Sequence, residues 1–303
     1  MSLGIVYLLV TVATFFWGSN FVLAGPVMAD LPPLWAAALR FLIGATAMLA
    51  LAFWRREPLW GPLRRNPGAY LSLGVAGVGC FNLLFFYALK STSPANAALI
   101  MATNPLVTTL LAGFMLGERP NARHLAALPL ALIGVVVVIS GGSLVRLEGL
   151  QVAHGDLLML GADVVWALYN VFGRRWMPAA SAVANTTLIM SAGAILLFVV
   201  ALSDGGGVAL PGGKAVAALL TMALGGTVLA YLFWNTGIAH LGAGRTSLFL
   251  NLVPVFAMLV DAMAGTRPSG AQLSGGLLVI GGVTLAMVPW RLRLGASAPV
   301  GAE

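Results

Sequence analysis

Phe16-Trp17-Gly18-Ser19-Asn20 lies near the middle of the first long apolar segment, and Val165-Trp166-Ala167-Leu168-Tyr169 near the middle of the sixth. The two tryptophans stand 149 residues apart, and so do Pro105 and Pro254 near the middles of the fourth and ninth segments. Leu132-Ile133-Gly134-Val135 in the fifth segment is matched by Val279-Ile280-Gly281-Gly282 in the tenth, 147 residues on. Asn96 to Ile100 ahead of Asn104-Pro105 likewise parallels Arg245 to Phe249 ahead of Val253-Pro254. Chance would explain any one match between segments rich in Leu, Val, Ala and Gly. Trp, Pro and segment count together point to a duplication, with residues 1–149 and 150–303 as the two copies. Five spans per copy is an odd number, so the second copy enters the membrane upside down. Inverted repeats of this kind build secondary transporters, whose substrate site lies near the bilayer midplane between the halves.

Composition supports a membrane setting. The 303 residues are 60% hydrophobic and 8% charged, with mean hydropathy +0.97, whereas soluble chains run near one quarter charged. Apolar runs of about 20 residues joined by short loops read as membrane spans. The net charge of +7 would suggest nucleic acid in a soluble protein. Here the basic residues sit in loops, where they act as topology signals. Cys80 is the only cysteine, which excludes an intrachain disulfide. The first segment is too long for a signal-peptide core, and Trp17 with Asn20 makes a poor cleavage region, so it reads as a retained span.

The predicted spans are 4–25, 33–54, 68–89, 95–116, 124–141, 155–173, 186–203, 215–240, 246–264 and 271–290. All are expected to be helices, because unpaired backbone amides cannot face lipid and barrel strands would alternate. The fold class is therefore an all-α membrane protein of ten transmembrane helices, built as two inverted five-helix repeats, with a disordered tail after Trp290. With a cytoplasmic N-terminus, the inner loops hold Arg55, Arg56, Arg64, Arg65, Arg119, Arg123, Arg174, Arg175, Arg245, Arg291 and Arg293. The outer loops hold Lys90, Arg146, Lys214 and Arg267. That bias of 11 to 4 puts both termini in the cytoplasm, across the inner membrane of a bacterial cell.

Polar groups within hydrocarbon need internal partners, so they face the bundle interior or a wet cavity. The intramembrane polar set is Asn20, Arg40, Asn82, Asn104, Asp163, Tyr169, Asn170, Tyr231, Asn235 and Asn251. Any single Asn also fits helix–helix glue, at about 0.6–2 kcal/mol each; as a set they read as a lined cavity. At 1.5 Å per residue, Trp17 and Trp166 fall near the midplane of a ~30 Å core. Tryptophan ordinarily prefers the interface, so two at the centre face a cavity or pack with each N–H on a carbonyl. Pro105 and Pro254 kink their helices and free the carbonyls of Met101 and Leu250, for substrate or for a side chain such as Asn104. Matched kinks are the best sequence pointer to a carrier's site. Phe16, Phe85, Phe86, Tyr87, Tyr231, Phe233 and Trp234 add aromatic surface that would stack on a planar solute, or simply pack. Arg40 is expected to pair with Asp163 or Asp261 as a structural or gating ion pair, or to anchor a substrate carboxylate. Asp163 is alternatively a proton-coupling group. Gly113 and Gly117 form a small-xxx-small pair suited to a close helix contact, within a monomer or across a homodimer.

The chain resembles the EamA branch of the drug/metabolite transporter superfamily. The resemblance rests on Phe16-Trp17-Gly18-Ser19-Asn20, Leu39-Arg40-Phe41, Tyr87-Ala88-Leu89-Lys90, Asn104-Pro105 and Leu116-Gly117-Glu118-Arg119-Pro120. In the second half it rests on Val165 to Tyr169, on Ala243-Gly244-Arg245-Thr246-Ser247-Leu248-Phe249 and on Pro254. No single motif is specific, but their order is, and it covers nearly the whole chain. The resemblance implies ten helices in two inverted repeats and export of small metabolites. Within the family the chain looks most like the bacterial aromatic amino-acid exporters. It departs at Gly265-Thr266, where the second half lacks the counterpart of Glu118.

The expected function is a secondary carrier exporting small metabolites, amino acids and especially aromatic ones, by alternating access. Its expected site comprises Trp17, Asn20, Asn82, Phe86, Tyr87, Met101, Asn104, Trp166, Tyr169, Asn170, Tyr231, Trp234, Asn235 and Asn251. A polyamine, nucleotide sugar or drug is the rival substrate. Gly207 to Gly212 is followed by Gly213 rather than Lys, so the near match to a phosphate loop fails. His124, His154 and His240 show no metal spacing, and no Gly-x-Ser-x-Gly or HExxH occurs, so neither metal nor cofactor is expected. A lipid-linked transferase would have to rely on His154 and Asp156, and a channel is the remaining rival. With few carboxylates inside the membrane, proton antiport and facilitated diffusion both remain open.

Overall fold

The computed structural model describes residues 1–92, 94–143, 145, 154–203 and 210–287. Arg146, Arg291, Arg293, the tail after Trp290 and residues 207–209 of the near phosphate-loop match lie outside these. Among the described residues, ten helices are long and apolar enough to cross a membrane: α1 (Leu3–Asp30), α2 (Pro33–Trp54), α3 (Pro67–Ala88), α4 (Ala97–Leu116), α5 (Ala122–Ser140), α6 (His154–Trp176), α7 (Ala182–Ser203), α8 (Gly213–Leu241), α9 (Ala243–Met263) and α10 (Gly270–Met287). No strand occurs among the described residues.

The helix ends follow from local chemistry. Ser2 caps α1, its hydroxyl accepting from the Ile5 N–H. That helix runs five residues past its expected end, through Pro26, and stops at Leu31. Leu31 is extended (φ −123°, ψ 137°), because the ring of Pro32 disfavours a helical residue before it. A short helix not expected from the sequence, Trp60–Arg65, joins α2 to α3. Trp54 and Trp60 are exposed there, and the Arg64 guanidinium lies 5.9 Å from the Trp60 ring centre. Aromatic and basic groups of this kind suit the membrane–water interface.

Helix partners follow one rule. α1 packs on α8 and α9, while α6 packs on α3 and α4. α2 packs on α7 and α8, α7 packs on α2 and α3, and α5 packs on α10. Exchanging each helix n with n+5 maps these pairs onto one another, as a two-fold relation between the halves requires. The α5–α10 crossing is a backbone contact. A Cβ on Gly134 would lie 2.7 Å from the Gly275 carbonyl oxygen, and one on Gly275 would lie 2.8 Å from that of Gly134. Small residues allow such approach where lipid supplies no hydrophobic drive.

Gly113 and Gly117 do not mediate a close contact within the chain. A Cβ on Gly113 would meet only the Glu118 carbonyl, at 3.6 Å. Gly117 instead ends α4 in a left-handed conformation (φ 66°), the usual role of glycine after a helix. Beyond it, Arg174 at the end of α6 faces Glu118 at 3.7 Å and donates to the Ala239 carbonyl of α8. Arg175 donates to the Met115 carbonyl of α4 at 2.8 Å. One end of the bundle is thereby tied together across α4, α6 and α8.

Four helices are interrupted, in matched pairs. α4 breaks between Met101 and Asn104, and α9 passes through a 3-10 turn at Leu248–Asn251. α3 carries a π-helical segment at Val75–Cys80, and α8 carries one at Met222–Leu229. The prolines announce the first pair. Nothing in a hydrophobic pattern announces the second, although Gly74, Gly77 and Gly79 in α3 and Gly225-Gly226 in α8 mark the same places.

Candidate functional site

The π segments bring glycine against the long side chains of the packing helix. A Cβ on Gly77 would lie 2.2 Å from the Tyr169 ring, and one on Gly226 would lie 2.4 Å from the Asn20 amide. Gly77 and Gly226 are 149 residues apart, as are Asn20 and Tyr169, so the duplication is repeated in three dimensions as the same contact made twice. Close approach here seats the rings of α1, α6 and α8 in one cluster.

Trp17 and Trp166 meet edge to face, with ring centres 5.4 Å apart. Trp17 also touches Tyr231 at 6.0 Å and Trp234 at 4.9 Å. Trp166 touches Tyr169 at 5.1 Å, Tyr231 at 5.8 Å and Phe81 at 4.9 Å. These rings fill the junction of the halves, so in this conformation the cluster is packed rather than open. The arrangement joins the two sequence-level alternatives for the tryptophans. Trp17 donates to the Gly226 carbonyl at 2.9 Å, the packed reading, whereas the buried Trp166 Nε1 has no partner. The repeat would pair Trp166 with the Gly77 carbonyl, but that oxygen accepts from the Tyr231 hydroxyl at 2.9 Å. Position 231 corresponds to Asn82 in the first half, too short for the symmetric bond.

Amides and hydroxyls surround the rings. Trp234 donates to Asn170 Oδ1 at 2.8 Å, while Asn170 Nδ2 is buried without a partner. The Tyr169 hydroxyl donates to Asn235 Oδ1, and Asn235 Nδ2 donates to Thr186 Oγ1 at 3.2 Å. Asn82 donates to the Val78 carbonyl of its own helix at 2.7 Å and accepts from Arg40 Nη2 at 3.4 Å. Asn251, in the 3-10 turn, keeps a buried unpartnered Oδ1. These unfilled atoms are hydrogen-bonding capacity that a solute or water can use, since a buried unmade bond costs about 1–3 kcal/mol.

Other expected residues fall elsewhere. Tyr87 is exposed, with the Lys90 ammonium 4.6 Å from its ring centre, at the end of α3 and away from the cluster. Met101 packs with the apolar group of Ala88, Ala97, Met159 and Ala162. Asn104 does not reach the Met101 carbonyl. Its Nδ2 donates to the Asp163 carbonyl at 2.9 Å, and its Oδ1 accepts from Thr108 at 3.0 Å. The reason is that Pro105 opens the second part of α4, so the helix is broken there rather than bent. Phe86 stacks edge to face on Phe85 at 5.7 Å, beside Arg40.

The expected ion pair is not formed. Asp261 is exposed on α9. Asp163 is buried with Oδ1 unpartnered; its Oδ2 lies 3.5 Å from the Thr103 hydroxyl, which gives its shorter bond to the Ile100 carbonyl. Arg40 instead lies 4.7 Å from the Phe41 ring centre, with Asn82 on Nη2. Phe81 and Thr186 join the site although they look like ordinary packing residues in the sequence, and Phe41, part of the Leu39-Arg40-Phe41 stretch, meets Tyr231 at 5.8 Å. Among the described residues no group of His, Cys, Asp and Glu is arranged to hold a metal. Asp156 accepts from the Thr92 hydroxyl.

Comparison with known proteins agrees with this architecture. The chain is 39% identical over 284 residues to the uncharacterized transporter YyaM of Bacillus subtilis, covering 93% of each chain. It is 28% identical to a "Probable amino-acid metabolite efflux pump" of Escherichia coli over 96% of each chain. It is 27% identical to the aromatic amino acid exporter YddG of Ancylobacter novellus, covering 90% of this chain and 94% of that one. A solved crystal structure superposes with TM-score 0.79 at 25% identity, covering 94% of this chain and 97% of that chain. One family model matches twice, over residues 4–140 and 153–288. A multi-pass bundle of ten apolar helices that this model covers almost end to end is a membrane transporter rather than an enzyme, and the chain belongs to the EamA-like transporter family.

Proposed function

We propose that the chain is an exporter of amino acids, aromatic ones in particular, working by alternating access across a bacterial inner membrane with both termini in the cytoplasm. The two copies, 1–149 and 150–303, face opposite ways and rock about the cluster of Trp17, Trp166, Tyr169, Tyr231 and Trp234. That cluster is the observation that carries the reading. It joins α1 of one copy to α6 and α8 of the other, it is aromatic, and polar atoms with unused hydrogen bonds border it. A planar solute that separates the rings replaces ring–ring contact with ring–solute contact, while its amine and carboxylate meet the amides. The names carried by two of the relatives agree with an amino-acid cargo.

Flux of labelled phenylalanine and tryptophan in proteoliposomes, with and without a pH gradient, tests this. Saturable flux of an aromatic amino acid is expected, and its absence for every amino acid sinks the reading. Trp17→Ala and Trp166→Ala are each expected to cut flux at least about tenfold, the loss of roughly 1.4 kcal/mol of solute contact, while the protein still inserts and elutes as the wild type does. Unchanged flux in both variants removes these rings from the site.

A further inference from the structure

We propose that Arg40 is the oxyanion anchor of this carrier, taking the carboxylate of the solute in a crevice between α1, α2, α3 and α8. The proposal rests on the carrier reading above and assigns that carrier's substrates a chemical class, acids with an apolar body.

Arg40 lies within the span of α2. A charge inside the bilayer is costly unless it is paired. Among the described residues no carboxylate pairs with Arg40. The guanidinium is nonetheless held in place, by the long bond from Nη2 to Asn82 at 3.4 Å and by the Phe41 face at 4.7 Å. Its buried Nε has no partner. A guanidinium is a planar fork of five donors, matched to two oxygens of a carboxylate. Most of this fork is unused.

The crevice beside it is walled by Val27, Met28, Phe86, Leu219 and Met222. Its volume is about 30 Å³, room for about one water, so an anion enters only as α1 and α8 part. The walls are apolar, which favours a solute carrying hydrocarbon next to its acid. Phe41, under the guanidinium, meets the Tyr231 ring at 5.8 Å, and Tyr231 touches both Trp17 and Trp166. An anion on Arg40 therefore sits one ring away from the cluster. Phe41 and Tyr231 thereby connect the guanidinium to the tryptophans. The same oxyanion chemistry would also suit a lipid phosphate, and the test separates the two.

The probes are 3-phenylpropionate and its neutral amide, titrated against the purified full-length protein in a neutral detergent with tryptophan emission as the readout. The acid is expected to bind at least about tenfold tighter than the amide, the size of one charge-assisted bond. Arg40→Met is expected to erase that preference, and Arg40→Lys to retain a weakened one. Should Arg40→Met fail to fold, Arg40→Lys and Asn82→Ala, which loosens the guanidinium, carry the decision by the same ratio. Equal affinity for acid and amide in the wild type, or a preference that survives loss of the guanidinium, overturns the proposal. Displacement of the acid by phosphatidylglycerol assigns Arg40 to lipid and overturns it as well. Because these titrations need no flux, a protein that carries no amino acid but prefers the acid would defeat the exporter reading and leave the anchor standing.

Discussion

Gly77 and Gly226 stand where a methyl group has no room. At Gly77 the obstacle is the rigid ring of Tyr169, itself locked by its hydroxyl on Asn235. Gly77→Ala is therefore expected to destabilise the protein by about 1–3 kcal/mol, the cost of overpacking a filled core. Gly113→Ala is the contrasting case. Its new Cβ meets only one carbonyl, at ordinary van der Waals distance, and alanine exceeds glycine in helix propensity by up to ~1 kcal/mol. Thermal unfolding in detergent should lower the midpoint of the first variant and leave or raise that of the second. A Gly77→Ala midpoint equal to that of the wild type would show that the ring is free to move. The orphaned Trp166 Nε1 belongs to the same scale. It arises because Tyr231 reaches a carbonyl that its shorter counterpart Asn82 would leave free.

The interruptions of α3, α4, α8 and α9 give the elements their capacity to move. A π segment or a 3-10 turn in a long helix marks a hinge or a functional site; here the π segments occupy matching places in α3 and α8, and the 3-10 turn of α9 matches the break in α4. The α4 break is set by Pro105, which cannot donate a backbone bond, while Asn104 ties the broken end to α6. Pro105→Ala and Pro254→Ala each allow a continuous helix. Both are expected to lower flux about tenfold while leaving unfolding within ~1 kcal/mol of the wild type, since the substitution adds a backbone bond rather than removing one. Flux equal to that of the wild type in the double variant would remove the hinge reading of these breaks.

At the scale of the whole molecule, helix partners exchange when n becomes n+5, and the two inverted copies proposed above predict which residues face which compartment. With Cys80→Ser as background, single cysteines at Ser2 and Arg64 should react with a membrane-impermeant maleimide only from the cytoplasmic face. A cysteine at Lys214 should react only from the outside. Labelling of positions 2 and 214 from the same side would break the inverted repeat. The tie between Arg174 and Glu118 is half exposed and contributes at most about 1 kcal/mol. Its place at one end of the bundle, where α4, α6 and α8 finish, suits a latch that opens and closes better than a permanent strut.

Fold class was legible because the bilayer leaves a chain few choices. Backbone groups in hydrocarbon must be paired internally, so ten apolar runs mean ten helices, and Trp17/Trp166 with Pro105/Pro254 expose the duplication before any coordinates are seen. Depth along the helix pointed Trp17 and Trp166 to the bundle centre, and these two rings do meet. What depth cannot give is the angle at which a side chain leaves its helix. Tyr87 shares α3 with Asn82 yet points away from the cluster, and Arg40 lies in the same membrane as Asp163 and Asp261 yet pairs with neither. Those outcomes depend on helix rotation and on contacts between residues far apart in the chain. The glycine-lined π segments decide how closely α3 and α8 approach α6 and α1, and such packing is a property of the assembled bundle that the hydrophobic pattern does not encode.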